Sequence, residues 1–314
     1  MKTIRYYLLA ALTVLVAAAC EHKELCYDHR HEVELEVVFD WQNDPDADPE
    51  TMDLYLIPEK GGSALRFQFP NRSGGRITVP LGRYHAFGIN SDSETNVLRG
   101  KESWNTFEVY TVDASLLSAL GVRAQEPPRA EGTEDERVAY TPDRLWTADR
   151  QTLSMTDPER SYKITLYPDN RLCNYTVTIR NAENLKHIRG LSGSLSSLAG
   201  GLLVADASLT EERVTMSFGA QSDGESTVTA AFHTLGHCPT LPNPHKLVIY
   251  AVLADDSKWY YTYDVTDQIH NAPDPRNVSI VLDGLPLPKP IVNGGGFQPD
   301  VGEWEEGDRF EIEM

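Results

Sequence analysis

Residues 32–41 alternate strictly, with Val33, Leu35, Val37, Phe39 and Trp41 on one parity and Glu34 and Glu36 on the other. Successive side chains of an extended chain point to opposite faces, so this run predicts a half-buried strand. Further strand-like runs occupy 52–57, 65–69, 77–79, 84–89 and 107–112. Between them stand Gly61-Gly62, Ser73-Gly74-Gly75 and Leu81-Gly82, turn chemistry spaced for short antiparallel strands. Residues 113–120 predict a short helix, with Asp113 as N-cap and Gly121 as its stop. The stretch 122–136 has no apolar period and is Pro-rich and acidic, which predicts an exposed loop.

Strand patterning resumes at 162–166, 173–179, 214–218, 228–232, 247–253, 259–265 and 278–282. Residues 247–253 are apolar on both parities, as expected of a central strand covered on both faces. The tail reads differently. Pro286, Pro288 and Pro290 make a stiff extended piece and Gly294-Gly295-Gly296 a flexible one; Phe310, Ile312 and Met314 then alternate with Glu311 and Glu313. A hinge followed by an amphipathic strand at 309–314 is the expectation. Two sets of about seven short strands, with few helices, argue for an all-β chain of two tandem β-sandwiches. The expected domains are 32–155 and 156–314.

Lys2 and Arg5 precede an apolar run from Leu8 to Ala19 that ends in small residues directly before Cys20. That is the layout of a secretory signal peptide, residues 1–19. The run is too short for a membrane-spanning helix, which needs about 20 residues. A cysteine placed directly after Ala17-Ala18-Ala19 looks like a bacterial lipobox, although Ala17 stands where Leu is usual. Acylation of Cys20 is therefore expected, with residues 20–31 as a lipidated tether.

The chain has 314 residues and a formal net charge of -19. Such a surface repels phosphate backbones and anionic headgroups, which argues against nucleic-acid binding and leaves acyl chains as the membrane attachment. With Cys20 acylated, Cys26, Cys173 and Cys238 remain, so at most one disulfide can form among them. Cys173 and Cys238, on strand-like segments of the same half, are the favoured pair, leaving Cys26 as a buried thiol.

Three clusters offer metal-ligand chemistry, and each has a simpler reading. Cys26, His29 and His31, with His22 upstream, lack a second ligand pair at structural-zinc spacing. His233, His237, Cys238 and His245 lie among Pro239, Pro242 and Pro244, as in a rigid loop. Asp44, Asp46 and Asp48 alternate as in a calcium loop, yet Pro49 stands where that loop needs Gly and Tyr55 where it needs Glu. No metal or other cofactor is expected. No hydrolase, phosphate-cradling or dinucleotide motif occurs, and the chain reads as a non-enzyme. Trp259, Tyr260, Tyr261 and Tyr263, with Trp104 and Trp146, could line a sugar-binding face, but on alternating strands half of such residues face the core. The tail strand has two readings: a closing strand folded back on its own domain, or an extended strand offered to an open sheet edge of a neighbour.

The chain resembles a family of Bacteroidales fimbrillin-like lipoproteins of unknown function, related to the FimB-like fimbrial anchor subunits. The resemblance is carried by Cys20 with Leu25-Cys26-Tyr27-Asp28-His29, by Phe39-Asp40-Trp41, Tyr55-Leu56-Ile57-Pro58 and Ser192-Gly193-Ser194-Leu195-Ser196. It continues through Asp264-Val265-Thr266-Asp267-Gln268-Ile269, Leu285-Pro286-Leu287-Pro288 and Gly295-Gly296-Phe297 ahead of Val301 and Trp304. It implies two transthyretin-like β-sandwiches on an outer-membrane lipid anchor facing the outside. It further implies a role as anchor or assembly subunit, with fimbrillin-like pilus subunits as partners. In such pili a leading strand is removed and a neighbour's C-terminal strand fills the groove, while anchor subunits keep theirs. Residues 32–41 would then be the retained strand, and Phe310, Ile312 and Met314 the apolar teeth of a donor strand. The rival reading is a surface lipoprotein that binds glycans or host proteins.

Overall fold

The first alternating run forms β1 (Glu32–Phe39). In the computed structural model, which describes residues 32–120, 126–290 and 304–307, it is the middle strand of a three-stranded sheet. Its neighbours are β4 (Gly74–Pro80), antiparallel, and β10 (Tyr162–Leu166), parallel. Gly74 starts β4 at φ 93°, where a Cβ would lie 2.3 Å from the Val37 carbonyl oxygen, so this approach of the chain needs glycine. Facing this sheet is a five-stranded one in the order β11 (Pro168–Asn170), β9 (Trp146–Met155), β5 (Gly82–Asn90), β2 (Met52–Pro58), β3 (Leu65–Phe69). Leu35, Val37 and Phe39 meet Met52, Leu54, Ala86 and Met155 between the two sheets, which makes the first sandwich.

The second sandwich pairs a four-stranded with a six-stranded sheet. The smaller runs β16 (Gln221–Ser222), β17 (Val228–Thr234), β12 (Cys173–Ala182), β20 (Asn277–Leu285). The larger runs β21 (Trp304–Glu306), β19 (Lys258–Asp264), β18 (Lys246–Leu253), β13 (Ile188–Ala199), β15 (Arg213–Gly219), β8 (Arg137–Tyr140). Phe218 and Phe232 stack across the gap with centroids 4.0 Å apart. As the pattern predicts, β18 is central and covered on both faces. Leu247 and Ile249 enter the sandwich core, while Val248 and Tyr250 pack on the other side with Leu116, Ala130 and Val138.

A fifth sheet joins the two halves: β14 (Gly201–Leu203), β7 (Glu108–Thr111), β6 (Asn96–Arg99). It covers the outer face of the five-stranded sheet, and its cluster mixes Tyr55, Phe87, Trp104 and Phe107 with Leu202, Val204 and Leu235 from the second half. Strand membership therefore does not divide the chain at 155. Residues 162–170 complete the first sandwich, and 137–140 belong to the second.

Two local expectations need correction. Residues 116–120 form turns rather than a helix: Asp113 is held in a bridge to Ala139, and the amides of Ser118 and Leu120 bond back three residues, to the Ser115 and Leu117 carbonyls, not the helical four. The acidic stretch is not simply exposed, since Ala130, Thr133 and Glu136 are buried against the six-stranded sheet. The Glu136 carboxylate accepts hydrogen bonds from the Ser197 amide (3.0 Å), the Ser197 hydroxyl (3.1 Å) and the Thr215 hydroxyl (2.7 Å).

Candidate functional site: strand edges and the tail

β1 is committed on every side. Seven register pairs join it to β4 and five to β10, and Val33, Leu35, Val37 and Phe39 are at most 4 % exposed. Burying such side chains stabilises by about 1.5–3 kcal/mol each, so the strand contributes on the order of 6–12 kcal/mol before entropy. That is comparable with the whole stability of an ordinary domain, roughly 5–15 kcal/mol. With β1 in place, the groove between β4 and β10 has no room for another strand.

The tail also meets the body of the protein. Leu285 and Leu287 are buried in the second core, and the Leu287 carbonyl accepts from the Asn184 amide group, so the proline-rich piece starts docked rather than free. Further on, β21 lies parallel to β19 at the edge of the six-stranded sheet, with Lys258, Trp259 and Tyr260 opposite Trp304, Glu305 and Glu306. The Gly307 amide continues the pairing to the Tyr260 carbonyl at 2.9 Å, and the Trp304 ring sits edge-on to Tyr250 at 5.5 Å. The tail strand described in the structure thus lies upstream of the predicted 309–314, whose Phe310, Ile312 and Met314 fall outside the described residues. Cys20, Cys26 and His22, His29 and His31 also fall outside them. The sequence marks Trp304 only through the family resemblance, since three residues cannot display a period.

The opposite sheet ends in β20, whose outer edge is closed by a side chain. Gln268, on the helix α1 (Thr266–His270), accepts from the Val281 amide (2.8 Å) and donates to the Val281 carbonyl (3.1 Å). Its amide copies the donor and acceptor of a neighbouring strand, which blunts an otherwise adhesive edge.

The expected Cys173 to Cys238 disulfide is not formed; both are free thiols. Cys173 pairs with Thr234 across the ladder, and its sulfur faces the Leu235 carbonyl. The chain turns at Gly236 (φ 127°) and then bonds to β13, the Cys238 amide to the Ser197 carbonyl. The Cys238 sulfur is thereby directed to the Glu211 carbonyl at 3.5 Å.

The histidines gather differently from their sequence spacing. His237 and His245 meet His270 of α1, with ring centroids 5.1–5.8 Å apart, while His233 lies exposed on β17. His245 is fully buried with Nδ1 3.0 Å from the Ser196 carbonyl, and burial pushes its pKa down to about 4. Among the described residues, no three His, Cys, Asp or Glu side chains converge as a metal-ligand set. Of the aromatic residues, Tyr261 and Tyr263 are core, their hydroxyls donating to the Pro286 and Gly284 carbonyls, and Trp104 and Trp146 are buried. Trp259 and Tyr260 are only partly exposed, which leaves no open aromatic platform on this strand.

A first strand paired on both edges, a docked tail and a sealed edge are the strand-pairing features of this β-sandwich protein. The chain belongs to the family described as Domain of unknown function (DUF5119), whose model matches residues 19–219. A Bacteroides ovatus protein named "Putative fimbrium anchoring subunit Fim4B" is 22 % identical, with 99 % of each chain covered. A crystal structure of "a putative adhesin" from the same organism superposes with a TM-score of 0.59 at 22 % identity, covering 94 % of this chain and 99 % of that one. The fimbrial anchor protein Mfa2 of Porphyromonas gingivalis gives a TM-score of 0.48 at 13 % identity, covering 80 % and 90 %.

Proposed function

We propose that this protein is an anchor or assembly subunit of a fimbria, without enzymatic activity. In this reading it is held at the outer face of the outer membrane by acyl chains on Cys20 and joined to pilus subunits by β-strand complementation. The observation that carries the proposal is β1: a subunit that keeps its own strand in the groove does not receive a neighbour's, as befits the end of a fibre. The full-length relationship to a protein named as a fimbrium anchoring subunit supports the same role. Joining then falls to the C-terminal strand. Its preceding segment already pairs with the β19 edge, and Phe310, Ile312 and Met314 supply an apolar residue at every second position, the spacing that fills alternate pockets of a groove.

Deleting residues 309–314 should abolish fibre attachment in cells while leaving the circular dichroism and urea midpoint of the purified protein unchanged. Attachment that survives the deletion rules the tail out as the joint. Cross-linking of the tagged full chain in its native cells should recover a fimbrillin-like subunit joined through the tail.

A further inference from the structure

A cavity of about 290 Å³ opens between the outer face of the five-stranded sheet and the β6–β7 hairpin. Its floor comes from β2, where Met52, Leu54 and Leu56 face the sandwich core, and Asp53 and Tyr55 therefore face outward. A carboxylate is out of place there. Asp53 is 2 % exposed; Oδ2 accepts from Arg66 Nε at 2.6 Å, while Oδ1 is buried with no hydrogen-bond partner. Across the cavity Asn96 repeats the pattern: its amide nitrogen donates to Asp143 and to the Arg144 carbonyl, and its Oδ1 is buried and unpartnered. A buried acceptor left without a donor costs about 1–3 kcal/mol, more when charged, and two of them lining one cavity mark a place prepared for a donor.

Donors line the same cavity. Arg66 is 51 % exposed and spends only its Nε on Asp53, and Lys101 is exposed, with its Nζ 5.9 Å from the Tyr55 ring. These charges select the ligand class. A free ammonium would satisfy Asp53 but meet Arg66 and Lys101, and a carboxylate or phosphate would meet Asp53. A neutral polyol has hydroxyls that donate to Asp53 and Asn96 while accepting from Arg66 and Lys101, so it matches both sets without setting a charge against either. The volume lies at the lower end of small-molecule sites, roughly 300–1,000 Å³, which suits one sugar ring. We infer that this cavity is a binding subsite for a single neutral sugar residue, with Asp53 and Asn96 accepting from its hydroxyls and Arg66 and Lys101 donating to them. It is independent of the anchoring role and uses none of the strand edges described above.

The test is saturation-transfer NMR and calorimetry on the full chain in a non-glycosidic detergent. The probes are the methyl glycosides of glucose, galactose, mannose, fucose and N-acetylglucosamine, with butylammonium and acetate as charged controls. At least one glycoside should bind saturably. Asp53→Asn should weaken it about tenfold or more, and Lys101→Ala about threefold. Lys101→Ala changes only an exposed side chain, so it remains informative if the Asp53 variant fails to fold. No saturable binding by any glycoside up to about 50 mM overturns the inference. So does binding that both variants leave unchanged, or a charged control that outcompetes every glycoside.

Discussion

Glu136 shows how a single buried charge organises a loop. Its carboxylate receives three hydrogen bonds from Ser197 and Thr215 and pins the acidic segment against the six-stranded sheet. Glu136→Ala removes the acceptor and strands buried donors, so urea denaturation should show a loss of about 3 kcal/mol; a change below about 0.5 would mean that water replaces the carboxylate. His245 makes the opposite choice and is buried neutral, with His237, His270 and Asp264 as the titratable groups near it. An imidazole whose folded pKa is depressed binds its proton more readily in the unfolded chain. Its stabilisation is complete above its ordinary value of 6.5 and is lost as pH falls from there toward about 4. The full loss is on the order of 3 kcal/mol. Denaturation midpoints should fall between pH 7 and 4.5, and His245→Gln should flatten that slope; an equally steep slope in the variant would place the proton elsewhere. The periodicity of these segments is silent on both residues, because a buried polar group is recognisable only once its partners are known.

Strands report their environment more faithfully than residues do. The alternation of 32–39 and the two-sided apolarity of 247–253 appear as a half-buried and a doubly covered strand, since each pattern has one compatible burial. The segment 113–120 shows the limit: its Leu116 is buried against Val248 and Tyr250 of β18, and that packing together with the Asp113 bridge outweighs a weak local helix preference. Edges are likewise invisible locally. Gln268 sits in an unremarkable polar stretch, yet it completes the ladder of β20. Gln268→Ala should cost about 1 kcal/mol and, by exposing a free edge, increase self-association in sedimentation velocity. A variant that stays monomeric at the highest attainable concentration would show that the edge is protected in some other way.

The whole molecule is more interlocked than a tandem arrangement suggests. Strands 108–111 and 201–203 share one sheet, β8 crosses into the second sandwich, and Glu212 bonds both Arg99 and Arg137. Unfolding one half exposes the Tyr55, Phe107 and Leu202 cluster to water, so fluorescence and far-ultraviolet dichroism should report a single urea transition. Two separated transitions would show that the shared sheet contributes little. Alternation, turn spacing and strand count by themselves determined an all-β chain of two sandwiches, because side-chain parity and burial are local properties of an extended backbone. Which strands pair, where the halves exchange them, whether two cysteines meet and which carboxylate lines a cavity were decided by the tertiary structure. Those depend on contacts between residues far apart along the chain, such as Asn96 with Asp143 or Glu136 with Thr215, and no periodicity within a segment encodes them.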